Sequence, residues 1–222
     1  MITVEKITKN YGKRTVVDLS SLCFKKGETT VIVGPNGSGK TTFLKILAGI
    51  ITADEKNFSV NGKVLYLPQQ SVPFSKTVEK NIVFSLRNRH DSFEKAKRIL
   101  SELNLLHLKD KNAKTLSGGE CQRLALARLL VNEADFLILD EPSSAADIEG
   151  TEIMEKAITD YKNKTGCGII MTTHSPKQAS RLGDRIIILC DGKAVESGKA
   201  EDILRRPQNE WAEKFISQWK ID

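Results

Sequence analysis

The stretch that most restricts the fold is Gly34 to Thr41, GPNGSGKT, which follows the apolar run TTVIV and precedes a run carrying Phe43, Leu44, Ile46 and Leu47. Glycines at this spacing let backbone N–H groups turn inward around phosphate, and the motif requires a strand before it and a helix after it. Gly34, Pro35, Asn36, Gly37, Ser38, Gly39, Lys40 and Thr41, with Thr42 next in the chain, are the candidate nucleotide contacts. Lys40 is expected to reach the β- and γ-phosphates, and the Thr41 hydroxyl to coordinate Mg²⁺. A second buried run, FLILD (Phe136–Asp140), ends in a carboxylate. Open α/β sheets bind ligands at that end of a strand, so Asp140 is the expected metal-side residue, acting through water. Glu141 follows at once, and general-base work on the attacking water is preferred to a solvated loop. His174 ends the run CGIIMTTH. It is expected beside Glu141 at the same sheet edge, touching the γ-phosphate.

A second anion cradle lies in TLSGGECQRLALARLL, Thr115 to Leu130. Ser117 and Glu120 have the spacing of a capping box, which puts Gly118 and Gly119 at a helix N-terminus, where N–H groups and positive dipole favour an anion. Elsewhere, residues 2–7 and 16–24 read as strands with a turn at Asn10–Gly12. Short strands near 57–60 and 63–67 flank Asn61–Gly62, a hairpin signal. Residues 76–110 read as helical, Asp147 as the cap of a helix to about Lys164, RIIILC as a strand, and the end of the chain as helical. Strands alternating with helices imply an α/β fold with a mostly parallel sheet covered on both faces. The segment 70–115 reads as a separate helical subdomain.

The chain has 222 residues and 34 Lys plus Arg against 28 Asp plus Glu, a mildly basic balance with alternating signs and no block that marks a nucleic-acid binder. Cys23, Cys121, Cys167 and Cys190 form no C-x-x-C pair, which excludes zinc and dithiol motifs and fits reduced thiols. No leader is expected at Met1, and no apolar run approaches the ~20 residues of a membrane span.

Taken together, these motifs resemble the ATP-binding cassette (ABC) ATPases over nearly the whole chain. The resemblance implies a P-loop NTPase ABC cassette: a mostly parallel central sheet, a short antiparallel β-subdomain and a helical subdomain. It implies one ATPase domain, with 1–71 and 116–222 as catalytic core plus β-subdomain and 72–115 as helical subdomain. Gly34–Thr41 matches the Walker A loop, Phe136–Asp140 the Walker B strand, Glu141 the catalytic glutamate and His174 the switch histidine. Gln69, which alone reads as a polar turn after Pro68, matches the Q-loop glutamine that contacts Mg²⁺ and the attacking water. Tyr11 is placed like the aromatic that stacks on adenine. LSGGE, Leu116 to Glu120, matches the family signature. In that family two cassettes sandwich two ATP molecules, so Ser117, Gly118, Gly119 and Glu120 would serve the nucleotide of a second copy.

Three departures stand out. The loop after Walker B reads Ser144, Ala145, Ala146, Asp147 where S-A-L-D is usual. Only 28 residues separate Lys40 from Gln69, which implies a trimmed β-subdomain. Cys121 follows the signature glutamate. A P-loop GTPase is disfavoured, because NKTG (Asn163 to Gly166) lacks the Asp of a base-reading motif. Soluble ABC proteins of repair or translation usually carry two cassettes or a long coiled coil. The resemblance therefore implies a transporter subunit at the cytoplasmic face of the membrane. Its partners would be a second copy, integral membrane permease subunits docked on 72–115, a separate solute-binding protein, and no nucleic acid. TVEKNIVFSLRNR, the signature helix and THSPKQASRLGDRIIILCDGK look most like cassettes of inorganic-oxyanion importers, with tungstate nearest. Amino-acid importers, metal importers and exporters are the alternatives. Trp211, Phe215 and Trp219 fall on one helical stripe, which favours packing on their own domain.

Overall fold

The structure is a computed structural model and describes residues 1–86 and 91–219; residues 87–90 of the expected helical segment and the tail at 220–222 lie outside the described residues. The elements, in order, are β1 (Ile2–Tyr11), β2 (Arg14–Phe24), β3 (Thr29–Val33), α1 (Lys40–Leu47), β4 (Glu55–Val60), β5 (Val64–Leu67), α2 (Val78–Ser85) and α3 (Ser92–Glu102). Then come α4 (Gly118–Leu130), β6 (Phe136–Asp140), α5 (Ile148–Thr165), β7 (Gly168–Thr172), α6 (Pro176–Leu182), β8 (Arg185–Cys190), β9 (Lys193–Lys199), α7 (Ala200–Arg205) and α8 (Glu210–Ser217). They form two compact units. One comprises 1–66, 135–140 and 167 onward, and the other 67–134 and 141–166.

The first unit holds two sheets, β2-β1-β4 and β5-β6-β7-β3-β8-β9. The runs TTVIV, FLILD and GIIMT are buried at every position. Burial on both faces is the signature of parallel strands, and β3 pairs parallel with both β7 and β8, as β6 does with β7. The apolar faces of β1, β2 and α1 close over this sheet. Ile7, Leu19, Phe43, Leu44, Phe136 and Ile170 meet in one core that is essentially free of solvent.

Two expectations need correction. The Asn61–Gly62 dipeptide does not make a hairpin: β4 pairs antiparallel with β1, while β5 lies in the other sheet beside β6. Asn61 N donates to Met1 O and Lys63 N to Asp135 Oδ2, so the turn is consumed by remote partners. The end of the chain is not purely helical either, because β9 pairs antiparallel with β8 before α7 begins.

In the second unit, α4 packs against α2, α3 and α5. Leu100, Leu103, Leu126 and Ile158 are fully or almost fully buried there. Asp147 caps α5 through Gly150 N, as the sequence predicts, and Thr77 caps α2 through Lys80 N. Arg128 of α4 lies over the Phe74 ring at 4.2 Å and donates to Val72 O at 3.2 Å, tying the start of the helical segment to the bundle. Among the described residues no helix is long and apolar enough to cross a membrane.

Candidate active site

In the first unit the loop between β3 and α1 is built from close approaches. A Cβ at Gly34 would stand 2.1 Å from Leu189 O, and one at Gly39 would stand 2.3 Å from Val16 O. Both residues have positive φ, 151° and 98°, so only glycine fits. Pro35, Asn36 and Gly37 form an exposed rim, while Ser38, Gly39 and Lys40 are buried. Lys40 opens α1 and curls back, its Nζ donating to Gly34 O at 2.8 Å and to Pro35 O at 3.0 Å. The Ser38 hydroxyl is buried with no hydrogen-bond partner. A buried orphan hydroxyl and a buried ammonium at the start of a helix fit a phosphate chain. Thr42 follows on α1, half-buried.

Asp140 ends β6 and is 1% exposed. Thr172 Oγ1 donates to its Oδ1 at 2.8 Å, Thr41 Oγ1 to the same oxygen at 3.2 Å, and Tyr66 OH to Oδ2 at 3.2 Å. The pairing of Thr41 with Asp140 is what a phosphate-bound Mg²⁺ needs: one hydroxyl ligand and one carboxylate acting directly or through water. The described residues contain no cluster of three or more His, Cys, Asp or Glu. Sequence reasoning missed Tyr66 and Thr172. Each sits inside a run that reads as an ordinary strand, and only the fold brings them to Asp140. Burial above all, and then the charge of Asp140, pushes the Tyr66 phenol far above the usual tyrosine range, so it stays a donor.

Tyr11 ends β1, 55% exposed, with Lys9 Nζ 5.6 Å from its ring centre. The ring is open to a flat ligand rather than packed on the sheet. His174 is exposed and lies two residues beyond the end of β7, just before Ser175 caps α6.

The second unit carries the remaining candidates. Glu141 has φ 49°, a left-handed conformation that L residues adopt at a cost. Its Oε2 accepts from Gln69 Nε2 at 2.9 Å, so the two residues expected to manage the attacking water are in direct contact. Glu141 and His174 belong to different units. At the start of α4 the capping box is complete: Glu120 N donates to Ser117 Oγ at 3.3 Å and Ser117 N to Glu120 Oε2 at 2.7 Å. The Ser117 N–H is also the main reason that the Glu120 carboxyl is held below its ordinary range. Gly118 lies exposed at the helix start with Gly119 half-buried behind it, the arrangement that an incoming anion requires.

Residues 17–144 match the family model for the ABC transporter. The tungstate uptake system ATP-binding protein TupC of Peptoclostridium acidaminophilum is 37% identical, over 88% of this chain and 97% of that protein. The molybdate/tungstate import ATP-binding protein WtpC of Pyrococcus abyssi is 34% identical, over 97% and 67%. The spermidine/putrescine import ATP-binding protein PotA of Bacteroides fragilis is 30% identical, but the chain spans only 51% of its length. Among solved structures, an ATP-binding subunit of an ABC transporter superposes with a TM-score of 0.85 over 99% of this chain and 100% of that one, at 21% identity. A dimeric ATP-binding cassette in a post-hydrolysis state with ADP and phosphate superposes at 0.79, with 25% identity, over 90% and 99%. The chain belongs to the ABC transporter family, as one of its ATP-hydrolysing cassettes.

Proposed function

We propose that this cassette powers a membrane importer of inorganic oxyanions, with tungstate as cargo. The observation that carries the reading is the similarity to TupC across 97% of that protein's length. WtpC supports the same cargo class. Within one ATPase domain, 1–71 and 116–222 serve as catalytic core with β-subdomain and 72–115 as the helical subdomain. Tyr11 stacks on adenine, and Gly34 to Thr42 wrap the phosphates with Lys40 on the β and γ groups. Thr41, Asp140 and Gln69 hold Mg²⁺, whose charge offsets that of the phosphates. Glu141 takes the proton of the attacking water, Gln69 orients that water, and His174 contacts the γ-phosphate. Ser117, Gly118 and Gly119, held by Glu120, close on the γ-phosphate bound by a second copy. ATP thus joins two copies, and its hydrolysis releases them.

The membrane partners are separate permease subunits, with a solute-binding protein delivering cargo. The cassette sits peripherally on the cytoplasmic face. A groove of about 560 Å³ in the helical subdomain, lined by Lys76, Lys80, Val83, Phe84 and Phe93, suits a permease segment. Phe84 and Phe93 are 64% and 52% exposed beside it, an apolar surface that suits a docked segment.

Deleting the gene in its host and measuring cellular tungsten, molybdenum and phosphorus at limiting supply tests the cargo. A selective loss of tungsten is expected. Unchanged levels of all three would discard the oxyanion assignment and turn attention to metal cations or amino acids. Glu141→Gln tests the sandwich: it should bind ATP, hydrolyse it slowly and elute as a dimer. Elution only as a monomer with ATP would refute the two-copy arrangement.

A further inference from the structure

Gln122 lies one turn into α4, outside the LSGGE signature, and is 7% exposed. Its side chain makes three hydrogen bonds to two different loops. Oε1 accepts from Ala145 N at 2.8 Å. Nε2 donates to Ser144 Oγ at 3.0 Å and to Gln69 O at 3.4 Å. An amide has two donor hydrogens and one acceptor oxygen, so both hydrogens and the oxygen are engaged.

These contacts close a ring. Gln122 holds the backbone of Gln69, the Gln69 side chain holds Glu141 at 2.9 Å, and Glu141 O accepts from Ser144 N at 3.2 Å. Ser144 returns to Gln122. Gly119 touches the same loop from the signature side: a Cβ there would lie 3.2 Å from Ala145 O. A shift of the signature helix therefore cannot leave the Glu141 and Gln69 loops in place without breaking a partly buried hydrogen bond. Packed, fully bonded groups of this kind switch between discrete arrangements rather than deform.

We infer that Gln122 is a positioning residue that makes hydrolysis at one nucleotide depend on the signature's grip on the other. The inference rests on the sandwich reading. In a pair of copies, the signature helix engages the partner's nucleotide, while Glu141 and Gln69 of the same chain act on its own. Gln122 ties these two events together inside one chain. It is therefore a source of positive cooperativity between the two ATP sites, and it touches neither ATP.

The test compares the full-length wild type with Gln122→Met, which keeps the side chain's length but cannot make the three bonds, and with Ser144→Ala, which removes one bond at an exposed position. ATP hydrolysis is measured against ATP concentration, ATP affinity by calorimetry without Mg²⁺, and ATP-driven dimerisation by size exclusion. The wild type is expected to show a Hill coefficient well above about 1 and bounded by the two sites. Q122M should bind ATP within about twofold of wild type, lose about tenfold in turnover and fall to a Hill coefficient near 1. S144A should lie between. A purely structural role would lower the melting temperature and leave the Hill coefficient intact, which would overturn the inference. If Q122M fails to fold, S144A decides: wild-type cooperativity in that variant overturns it. A wild type with no dimer and no cooperativity overturns the sandwich reading and this inference together. A cooperative wild type beside an equally cooperative Q122M overturns this inference alone.

Discussion

Tyr66→Phe removes a single oxygen and tests whether the hydroxyls around Asp140 hold the metal-side carboxylate. The phenol donates to Asp140 Oδ2 at 3.2 Å, and Asp140 is 1% exposed. A hydrogen bond to a charged acceptor contributes about 1.5–3 kcal/mol, and removing the donor leaves the buried oxygen short of a partner. At 3.2 Å the bond is beyond the usual O–H···O range, so the low end, about 1.5 kcal/mol, is appropriate. For a chain of this size, 1.5 kcal/mol lowers the melting temperature by about 3–6 °C. Thr172→Val is the internal standard. Its bond to Asp140 Oδ1 is 2.8 Å and Thr172 is fully buried, so about 3 kcal/mol and about twice the shift are expected. Calorimetric melting at neutral pH measures both. A loosened Asp140 should also raise the Mg²⁺ concentration needed for half-maximal ATP turnover in each variant. A Y66F protein with wild-type melting and wild-type Mg²⁺ demand would refute the argument. So would a Y66F shift that exceeds that of T172V.

Gly39→Ala should abolish ATP binding measured by calorimetry, because its Cβ would meet Val16 O at 2.3 Å at a φ of 98°; retained affinity would contradict the close-packed loop. The Glu120 carboxyl is held below its ordinary range by Ser117 N–H, so its stabilising contribution is complete above the unfolded value of about 4.3 and disappears as pH falls through the lower folded value. Melting temperatures from pH 6 to 3 should therefore drop more steeply for wild type than for Glu120→Gln, and parallel curves would count against the cap. Maleimide labelling followed by mass spectrometry should modify exposed Cys23 in the native protein. Cys167, buried and with its thiol pushed up to about 11, should react only after unfolding.

The sequence revealed those parts of the site whose chemistry is local. Glycine spacing marks the loop at Gly34–Thr41, the Ser117–Glu120 spacing marks a helix start, and an unbroken apolar run ending in Asp140 marks a buried strand. The parts it hid depend on distant partners. Asn61–Gly62 carries hairpin chemistry, yet the strand before it pairs with β1, more than fifty residues earlier in places. β9, KAVESGK, is half-exposed and rich in residues of low strand propensity, and it forms because the edge of β8 offers it a ladder. Tyr66 reads as strand interior, and its partner Asp140 is 74 residues away. Gln122 reads as one more polar helix residue until Ser144 and Ala145 are brought against it.

The left-handed backbone at Glu141 bears on how such a chain can drift. A carboxylate side chain held at φ 49° costs about 1–2 kcal/mol relative to a residue at ease there. Glycine is that residue, so under the role proposed for Glu141 random substitution at this position would meet a gradient of folding stability that points directly away from turnover. A lineage released from the need to hydrolyse ATP would slide down it. With Glu141 in the proposed role of general base, a lineage that retains glutamate here, against the preference of its own backbone, would carry in that single torsion angle a record of selection for hydrolysis.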